Sequence, residues 1–230
     1  MKENNAGIPI IQGSEALIRS LLNEGVDTIF GYPGGAIMPV FDALYDHKNE
    51  IRHILVRHEQ GAVHAAQGYA RVSRKVGVAL VTSGPGATNA VTGITDAMMD
   101  STPLVVISGQ VSSNLLGSDA FQEADVIGIT QPITKWAYQI RRVEDIPWAV
   151  SRAFYTASTG RPGPVVLDIA KDAQNNKCPY SYSKTEFLRS YDPYPEVEMD
   201  YIKEAASIIN QAKKPLALYL DCLLFHPITF

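Results

Sequence analysis

The sequence predicts an α/β fold, a doubly wound parallel sheet with helices on both faces. Short apolar runs alternate with helical patterns through the first three quarters of the 230 residues. Runs with little polar alternation are typical of strands that are covered on both faces. Two glycine-rich turns also stand between a strand and the following helix. With right-handed crossovers, such turns meet at the carboxyl edge of the sheet, where open α/β folds bind ligands.

Each predicted element rests on its own local pattern. The strand candidates are nearly continuous apolar runs: Val26–Phe30, His53–Val56, Val76–Val81, Leu104–Ser108 and Pro164–Ile169. The helix candidates lie between them: Ser14–Glu24, Ala36–Tyr45, Gln60–Arg71, Thr88–Met98 and Ile146–Ser158. The turns at strand ends are Gly31-Tyr-Pro-Gly-Gly35 and Ser83-Gly-Pro-Gly86, whose composition interrupts both periodicities.

The composition changes after the last predicted strand. Residues 8–174 are expected to form the first domain, and 175–198 a surface linker rich in Pro, Tyr, Ser and Asn. Met199–Lys213 then has helical periodicity, and Leu216–Leu220 could start a strand. One helix and one strand cannot enclose a core, so we expect residues 199–230 to be the truncated start of a second domain with an atypical C-terminal tail.

Composition and charge exclude several classes of protein. With 46% hydrophobic and 19% charged residues the chain is of ordinary globular type. A net charge of −4 argues against nucleic-acid binding, and no apolar run reaches the roughly 20 residues of a membrane span. The N-terminus is polar, without the apolar stretch of a signal peptide. Cys178 and Cys222 are the only cysteines and are not spaced as metal ligands, so we expect a cytoplasmic protein without a disulfide framework or structural zinc.

Several glycine-rich and charged segments are far more specific together than alone. They are Gly31-Tyr-Pro-Gly-Gly-Ala36, Arg57-His-Glu-Gln-Gly-Ala62, Thr82-Ser-Gly-Pro-Gly-Ala-Thr-Asn89, Asp119-Ala-Phe-Gln-Glu123, and Gly160-Arg-Pro-Gly-Pro164 with Asp168-Ile-Ala-Lys171. In this order and spacing they resemble the N-terminal, pyrimidine-binding domain of thiamine diphosphate enzymes. Within that group the last two segments point to the acetolactate synthase (acetohydroxyacid synthase) large-subunit family. The resemblance covers about residues 8–218.

Glu59 is the residue to which this resemblance assigns a catalytic role. A carboxyl group hydrogen-bonded to N1′ of the aminopyrimidine favours the imino tautomer, whose 4′-nitrogen can act as a base toward C2 of the thiazolium. A carboxyl group in that role exchanges protons near neutrality, so we expect Glu59 to be partly shielded from water. Taken alone, Glu59 is more simply explained as a solvated carboxylate at a helix start, where the helix dipole favours it.

The resemblance implies further site residues. Cofactor contacts are implied for Glu59, Gly34, Gly35, Pro85, Asn89 and Gln122, and a contact with FAD for Arg161. A substrate channel is implied for Ala36, Phe121, Gln122 and Lys171. Taken alone, these residues also suit ordinary structural roles: tight turns for the glycines, a core position for Phe121 and a solvated charge for Lys171.

Other chemistries fit the sequence less well. The turn after Thr82 lacks the Lys-Ser/Thr of a phosphate-binding P-loop, and no Gly-x-Gly-x-x-Gly stands there for a dinucleotide. His58 and His64 lack further ligands at zinc spacing. Ser83 lacks the Gly-x-Ser-x-Gly elbow of many hydrolases.

The resemblance also implies what the complete enzyme does. It would condense two pyruvates, or pyruvate with 2-ketobutyrate, with loss of carbon dioxide, for isoleucine, valine and leucine synthesis. The expected cofactors are thiamine diphosphate, Mg²⁺ held by a Gly-Asp-Gly motif absent from this sequence, and a structural FAD in a central domain that is mostly missing. A homodimer or larger assembly and a regulatory small subunit are the implied partners.

The 230 residues alone are expected to be inactive. Two alternatives stay open: a non-catalytic fragment that pairs with full-length subunits, and a fragment of another thiamine enzyme, such as a pyruvate oxidase or a sulfoacetaldehyde acetyltransferase.

Overall fold

Six parallel strands form the central sheet. The computed structural model describes residues 8–194, 196–214 and 216. The described residues form eight strands, of which β1 and β8 lie outside the central sheet. The strands are β1 Ile10–Gln12, β2 Thr28–Gly31, β3 Arg52–Leu55, β4 Gly77–Val81, β5 Leu104–Gln110, β6 Trp136–Ile140, β7 Pro164–Ala170 and β8 Lys177–Pro179. The central sheet has the order β3-β2-β4-β5-β7-β6, and every neighbouring pair is parallel. The predicted α/β class and parallel sheet are therefore confirmed.

Helices cover both faces of this sheet. They are α1 Gly13–Asn23, α2 Met38–Asp46, α3 Glu59–Ser73, α4 Pro85–Asn89, α5 Val91–Met99, α6 Val126–Thr130, α7 Ile146–Ser158, α8 Lys171–Asn175 and α9 Met199–Gln211. One core cluster packs α1, α2 and α7 on one face, and a second packs α3, α4 and α5 on the other. Every residue of β4, β5 and β7 is buried, which explains their continuous apolar sequences.

The chain changes direction across the sheet between β2 and β4. From β2 it passes outward to the edge strand β3, and it then returns to β4 on the other side of β2. The loops that follow β2 and β4 therefore leave the sheet in different directions and open a crevice at its carboxyl edge. Such a switch point is where open α/β sheets bind ligands.

The predicted strands differ from the observed ones mainly at their ends, but the sequence pattern missed the short strands β1 and β8 and, in the central sheet, β6. This strand lies at the edge of the sheet and is only half-buried over most of its length, so it lacks the continuous apolar run that marked the others. The predicted helix Thr88–Met98 is observed as the separate helices α4 and α5, which follow each other across Ala90.

The segment expected to be a linker is bound to the surface of the domain. β8 pairs with β1 in a small antiparallel sheet, with Ile11 opposite Cys178. Further along, the Tyr191 hydroxyl donates a hydrogen bond of 2.7 Å to the Thr159 carbonyl. The division into domain, linker and second domain stays a prediction.

Helix α9 follows this segment and has no buried residue. The predicted strand Leu216–Leu220 and the tail lie outside the described residues, apart from Leu216. No helix in the described part of the chain is long and apolar enough to cross a membrane.

Candidate functional site

The loops that follow β2 and β4 touch each other at the switch point. A Cβ atom built on Gly34 would lie 2.5 Å from the Cβ of Thr82, and one built on Gly86 would lie 2.6 Å from its Cγ2. Since real Cβ atoms do not approach so closely, both positions accept only glycine in this backbone arrangement. Gly34 is thus required for the two loops to meet, and Gly86 for the turn after β4 to fold closely on Thr82.

Glu59 lies beside this meeting point, as the first residue of α3. Its side chain is buried, with 7% of the residue exposed, and Asn89 Nδ2 donates a hydrogen bond of 2.9 Å to its Oε2. Among the described residues, no other group donates a hydrogen bond to this carboxylate, so Oε1 is left without a partner. The helix N-terminus favours the negative charge. The His58 ring, which caps the helix, accepts a hydrogen bond from the Gln60 N–H.

The turn after β4 forms a cradle next to this carboxylate. A Cβ on Gly86 would lie 3.2 Å from Glu59 Oε1. The Ser83 hydroxyl is buried and has no hydrogen-bond partner in the described structure. Buried polar atoms are normally paired. The glycines leave space that a side chain would otherwise fill, and a flat ring could occupy it. The unpaired hydroxyl and the unpaired carboxylate oxygen beside this space can form hydrogen bonds with a polar ring, so these residues fit an aminopyrimidine.

The loop of residues 117–123 packs on the same turn. A Cβ on Gly84 would lie 2.2 Å from the Gln122 carbonyl oxygen, so this carbonyl rests against the turn. The Glu123 carboxylate holds the loop closed by accepting hydrogen bonds from the N–H groups of Gly117 and Ser118. Phe121 is 72% exposed, which excludes the core position that its residue type alone suggests.

Lys171 and Gln174, in the short helix α8 that follows β7, hold the loop after β2. Lys171 Nζ donates a hydrogen bond of 3.2 Å to the Gly35 carbonyl, and the buried Gln174 amide donates one of 2.8 Å to the Ala36 carbonyl. A groove of about 380 Å³ lies beside Gly35 and Lys171. Glu59 does not line it, so this groove adjoins the Glu59 site without containing it.

Arg161 lies elsewhere. It precedes β7, at the amino edge of the sheet, whereas Glu59 follows the carboxyl end of β3. Its guanidinium donates hydrogen bonds to the Ser101 hydroxyl and to the carbonyls of Met98 and Met99, which caps the end of α5. The structure thus separates Arg161 from the other predicted site residues.

The structure brings most of the other predicted residues together through direct contacts. Contacts join Glu59 with Asn89, the turn containing Pro85 with Gln122, and Lys171 with Gly35. Sequence reasoning assigned no role to Thr82, Ser83 or Glu123, although all three stand within the quoted motifs. Carboxylate and hydroxyl residues next to glycines were the available signal, but their partners depend on which loops meet.

The arrangement defines a cofactor-binding domain of the open α/β class, with its site at the switch point of the sheet. The family described as "Thiamine pyrophosphate enzyme, N-terminal TPP binding domain" matches residues 11–129, which include Glu59, Asn89 and the 117–123 loop. The chain therefore belongs to the thiamine pyrophosphate enzymes, of which it contains the N-terminal TPP binding domain.

Individual relatives agree with this assignment. The chain is 54% identical over 209 residues to the acetolactate synthase large subunit of Buchnera aphidicola from Schizaphis graminum, which covers 90% of this chain and 36% of the relative. It is 51% identical over 209 residues to the acetolactate synthase isozyme 3 large subunit of Escherichia coli, with the same coverage. It is 52% identical over 206 residues to the large subunit IlvB1 of Mycobacterium tuberculosis, covering 90% and 33%. The chain spans about a third of the length of these curated relatives.

Proposed function

We propose that this chain supplies the pyrimidine-binding part of an acetolactate synthase. The observation that carries the proposal is the Glu59–Asn89 pair: a buried carboxylate with one oxygen fixed by an amide and the other without a partner in the described part of the chain. Identity above 50% along 90% of the chain to acetolactate synthase large subunits supports this particular activity. The substrates would be pyruvate, alone or with 2-ketobutyrate.

Glu59 would hold and move one proton at Oε1. Asn89 fixes Oε2 by a hydrogen bond, so the carboxyl group keeps one orientation while the proton on the other oxygen is exchanged with a ring nitrogen beside it. Burial of the residue limits the water that would compete for this proton. When bound, thiamine diphosphate supplies the electron sink for decarboxylation and for carbon–carbon bond formation.

The turn and the two loops would position the ring and the keto acid. Gly86, beside Glu59 Oε1, leaves room for the flat pyrimidine, with Pro85 and Gln122 against the same turn. Among the described residues, the Lys171 ammonium group donates one hydrogen bond, to the Gly35 carbonyl, and an ammonium group has three donors. The remaining donors could attract the carboxylate of a keto acid passing Ala36 and Phe121.

The remaining parts of the proposed enzyme lie outside this chain. We propose that Mg²⁺ and the diphosphate are held by a further domain, and FAD by a central domain that Arg161 reaches from the amino edge. A homodimer or larger assembly, a regulatory small subunit and a cytoplasmic location complete the proposal, which predicts that the 230-residue chain alone forms no acetolactate.

A chimera tests the proposed activity directly. The aligned 209 residues of the Escherichia coli isozyme 3 large subunit are replaced by those of this chain, and acetolactate formation from pyruvate is measured colorimetrically. We expect activity in the chimera, and a loss of at least about 100-fold on Glu59→Gln because proton transfer by a positioned side chain contributes that much. Melting temperature should change little, since the amide keeps the shape of the carboxyl group.

Glu50→Gln is the matched control. Glu50 is exposed and precedes β3, whereas Glu59 follows it, so the control should retain full activity. A folded, FAD-loaded chimera without activity would refute the proposal, and so would a Glu59→Gln chimera as active as its parent. Acetolactate formation by the 230-residue chain alone would contradict the proposal that further domains are needed to hold the diphosphate, Mg²⁺ and FAD.

A further inference from the structure

A carboxylate group lies fully buried beneath the candidate site. Asp168, on β7, has no exposed surface, and the flanking residues in register are Ser108 on β5 and Gln139 on β6. Side chains in register on neighbouring strands point to the same face of a sheet. The Ser108 hydroxyl donates to Asp168 Oδ1 at 2.6 Å, and the Gln139 amide donates to Oδ2 at 3.1 Å.

A third donor connects this carboxylate to the loops above it. Gln110 stands two residues after Ser108 on β5, and its Nε2 donates to Asp168 Oδ2 at 3.1 Å and to the Ala124 carbonyl at 3.0 Å. Its Oε1 accepts a hydrogen bond of 2.9 Å from the Val111 N–H. The single buried amide of Gln110 therefore ties the strand to both ends of the segment that carries Phe121 and Gln122.

This segment needs such a restraint. Asp119 and Gln122 both have positive φ, of 57° and 54°, and non-glycine residues in this region are strained. The Glu123 carboxylate closes the loop between Val111 and Ala124 by accepting hydrogen bonds from the N–H groups of Gly117 and Ser118. The Gln122 carbonyl of the same loop lies against the turn at Gly84. Strained backbone persists only when the surrounding structure over-determines it.

We propose that Asp168 is a positioning residue which, through Gln110, holds the 117–123 loop against the cofactor turn at Gly84. Burial raises the pKa of Asp168 to about 6, and its two oxygens accept hydrogen bonds from all three donors. The Oδ2 acceptor orients the Gln110 amide, whose second proton then reaches the Ala124 carbonyl. This inference rests on the proposed function only where it concerns the cofactor. The restraint on the loop is a property of this chain and does not depend on that function.

Limited proteolysis of the complete 230-residue chain measures the restraint. Chymotrypsin cleaves after Phe121 in the loop, after Phe187, which is 74% exposed and distant in sequence, and after Phe154, which is 5% exposed. Mass spectrometry separates the three sites. The ratio of cleavage at Phe121 to that at Phe187 reports the loop, and cleavage at Phe154 reports global unfolding.

We expect Gln110→Met to raise the Phe121 to Phe187 ratio about five- to tenfold, the effect of losing a buried hydrogen bond. Asp168→Asn should also raise this cleavage ratio. The three donors now bond to two carboxylate oxygens, whereas the asparagine amide offers them only one oxygen. Ser108→Ala is the matched control: it removes a hydrogen bond of the same carboxylate without touching the loop, and its ratio should stay within about twofold.

An equal rise in the control and in Gln110→Met would overturn the proposal, because the carboxylate would then act on overall stability only. No rise in either loop-linked variant would overturn it too. If Gln110→Met is cleaved rapidly at Phe154, Asp168→Asn decides. In the chimera, Gln110→Met should raise the thiamine diphosphate concentration for half-maximal activity about fivefold, against little change for Ser108→Ala. An inactive parent chimera would refute the proposed function and leave the proteolysis result standing.

Discussion

The two edges of the central sheet use their polar residues in opposite ways. In a parallel sheet the helices end at the amino edge and begin at the carboxyl edge, so one edge collects helix carbonyls and the other helix N–H groups. At the amino edge, Lys135 donates to the carbonyls of Thr156 and Thr159 at the end of α7, and Arg161 does so at the end of α5. At the carboxyl edge stands the acidic residue Glu59.

The difference lies in which groups are left unpaired, since buried hydroxyls without a partner, those of Thr102 and Thr156, also occur at the amino edge of the described structure. The cations at the amino edge complete the hydrogen bonds of helix ends, and the Ser101 hydroxyl there accepts from Arg161. At the carboxyl edge, the Ser83 hydroxyl and Glu59 Oε1 have no partner among the described residues. The cations at the first edge therefore stabilise the fold, whereas the unpaired carboxylate oxygen and hydroxyl at the second are available to a ligand, at some cost in stability.

The largest difference is expected between two glycines with left-handed backbone, one at each edge. At Gly84 (φ 54°) an added Cβ would meet the Gln122 carbonyl, whereas at Gly25 (φ 79°) nothing lies within 4 Å. Gly84→Ala should destabilise the chain by about 3 kcal/mol or more, and Gly25→Ala by about 1 kcal/mol, the cost of the backbone conformation alone. Urea unfolding of both variants checks this. Equal losses would mean that the loop does not press on the turn.

Removing a capping cation at the amino edge should have the next largest effect. Burial lowers the pKa of Lys135, and its ammonium group is bonded to carbonyls of Thr156 and Thr159. Lys135→Met keeps the apolar stem and should cost about 2 kcal/mol, since hydrogen bonds to charged groups are strong. The control is Lys75→Met, whose exposed ion pair with Asp27 should matter little. A thermal melt in which both variants behave alike would contradict the capping role.

A matched pair of buried serines sharpens the comparison further. Ser101→Ala removes the acceptor of an Arg161 hydrogen bond of 2.8 Å and should destabilise by about 1.5 kcal/mol. Ser83→Ala removes an unpaired buried hydroxyl, so its stability should be unchanged or higher by up to about 1 kcal/mol. Both values come from the same urea titration. A destabilised Ser83→Ala would show that its hydroxyl serves the fold.

The smallest expected effect is a pH dependence at the amino edge. Burial acts to lower the pKa of His47, which follows α2, but hydrogen bonds to Glu50 and Glu15 raise it above its ordinary value of 6.5. The imidazolium therefore stabilises the fold fully below this value, and the contribution is lost as the pH rises through the raised pKa.

His47→Gln tests this dependence by urea unfolding. It should cost roughly 0.5–1 kcal/mol near pH 5.5 and almost nothing near pH 9. A loss that grows with pH would contradict the assignment.

Much of the fold could be predicted because the composition of a buried strand reflects its apolar surroundings. β4, β5 and β7 are covered on both faces, so their sequences are apolar throughout. β6 could not be recognised in this way, since it is only half-buried and contains residues such as Tyr138 and Gln139. The other edge strand, β3, was recognised because residues 54–56 form a short apolar run.

The candidate site residues could be proposed from the sequence, but their contacts could not. The motifs place Glu59 and Asn89 at the heads of helices, yet their hydrogen bond joins positions 30 residues apart. The Asp168 network is less accessible still. Ser108 and Asp168 face each other only because β5 and β7 are neighbours in a particular register, and a single sequence contains no signal for that register.

The small sheet of β1 and β8 has a consequence for how the domain can be carried by other proteins. It sets the incoming chain at Ile11 directly beside the outgoing chain at Cys178, and the Gly13 N–H donates to the Asn176 carbonyl in the same place. A segment whose two ends are adjacent can be inserted into a host polypeptide, or recombined between polypeptides, without stretching either side.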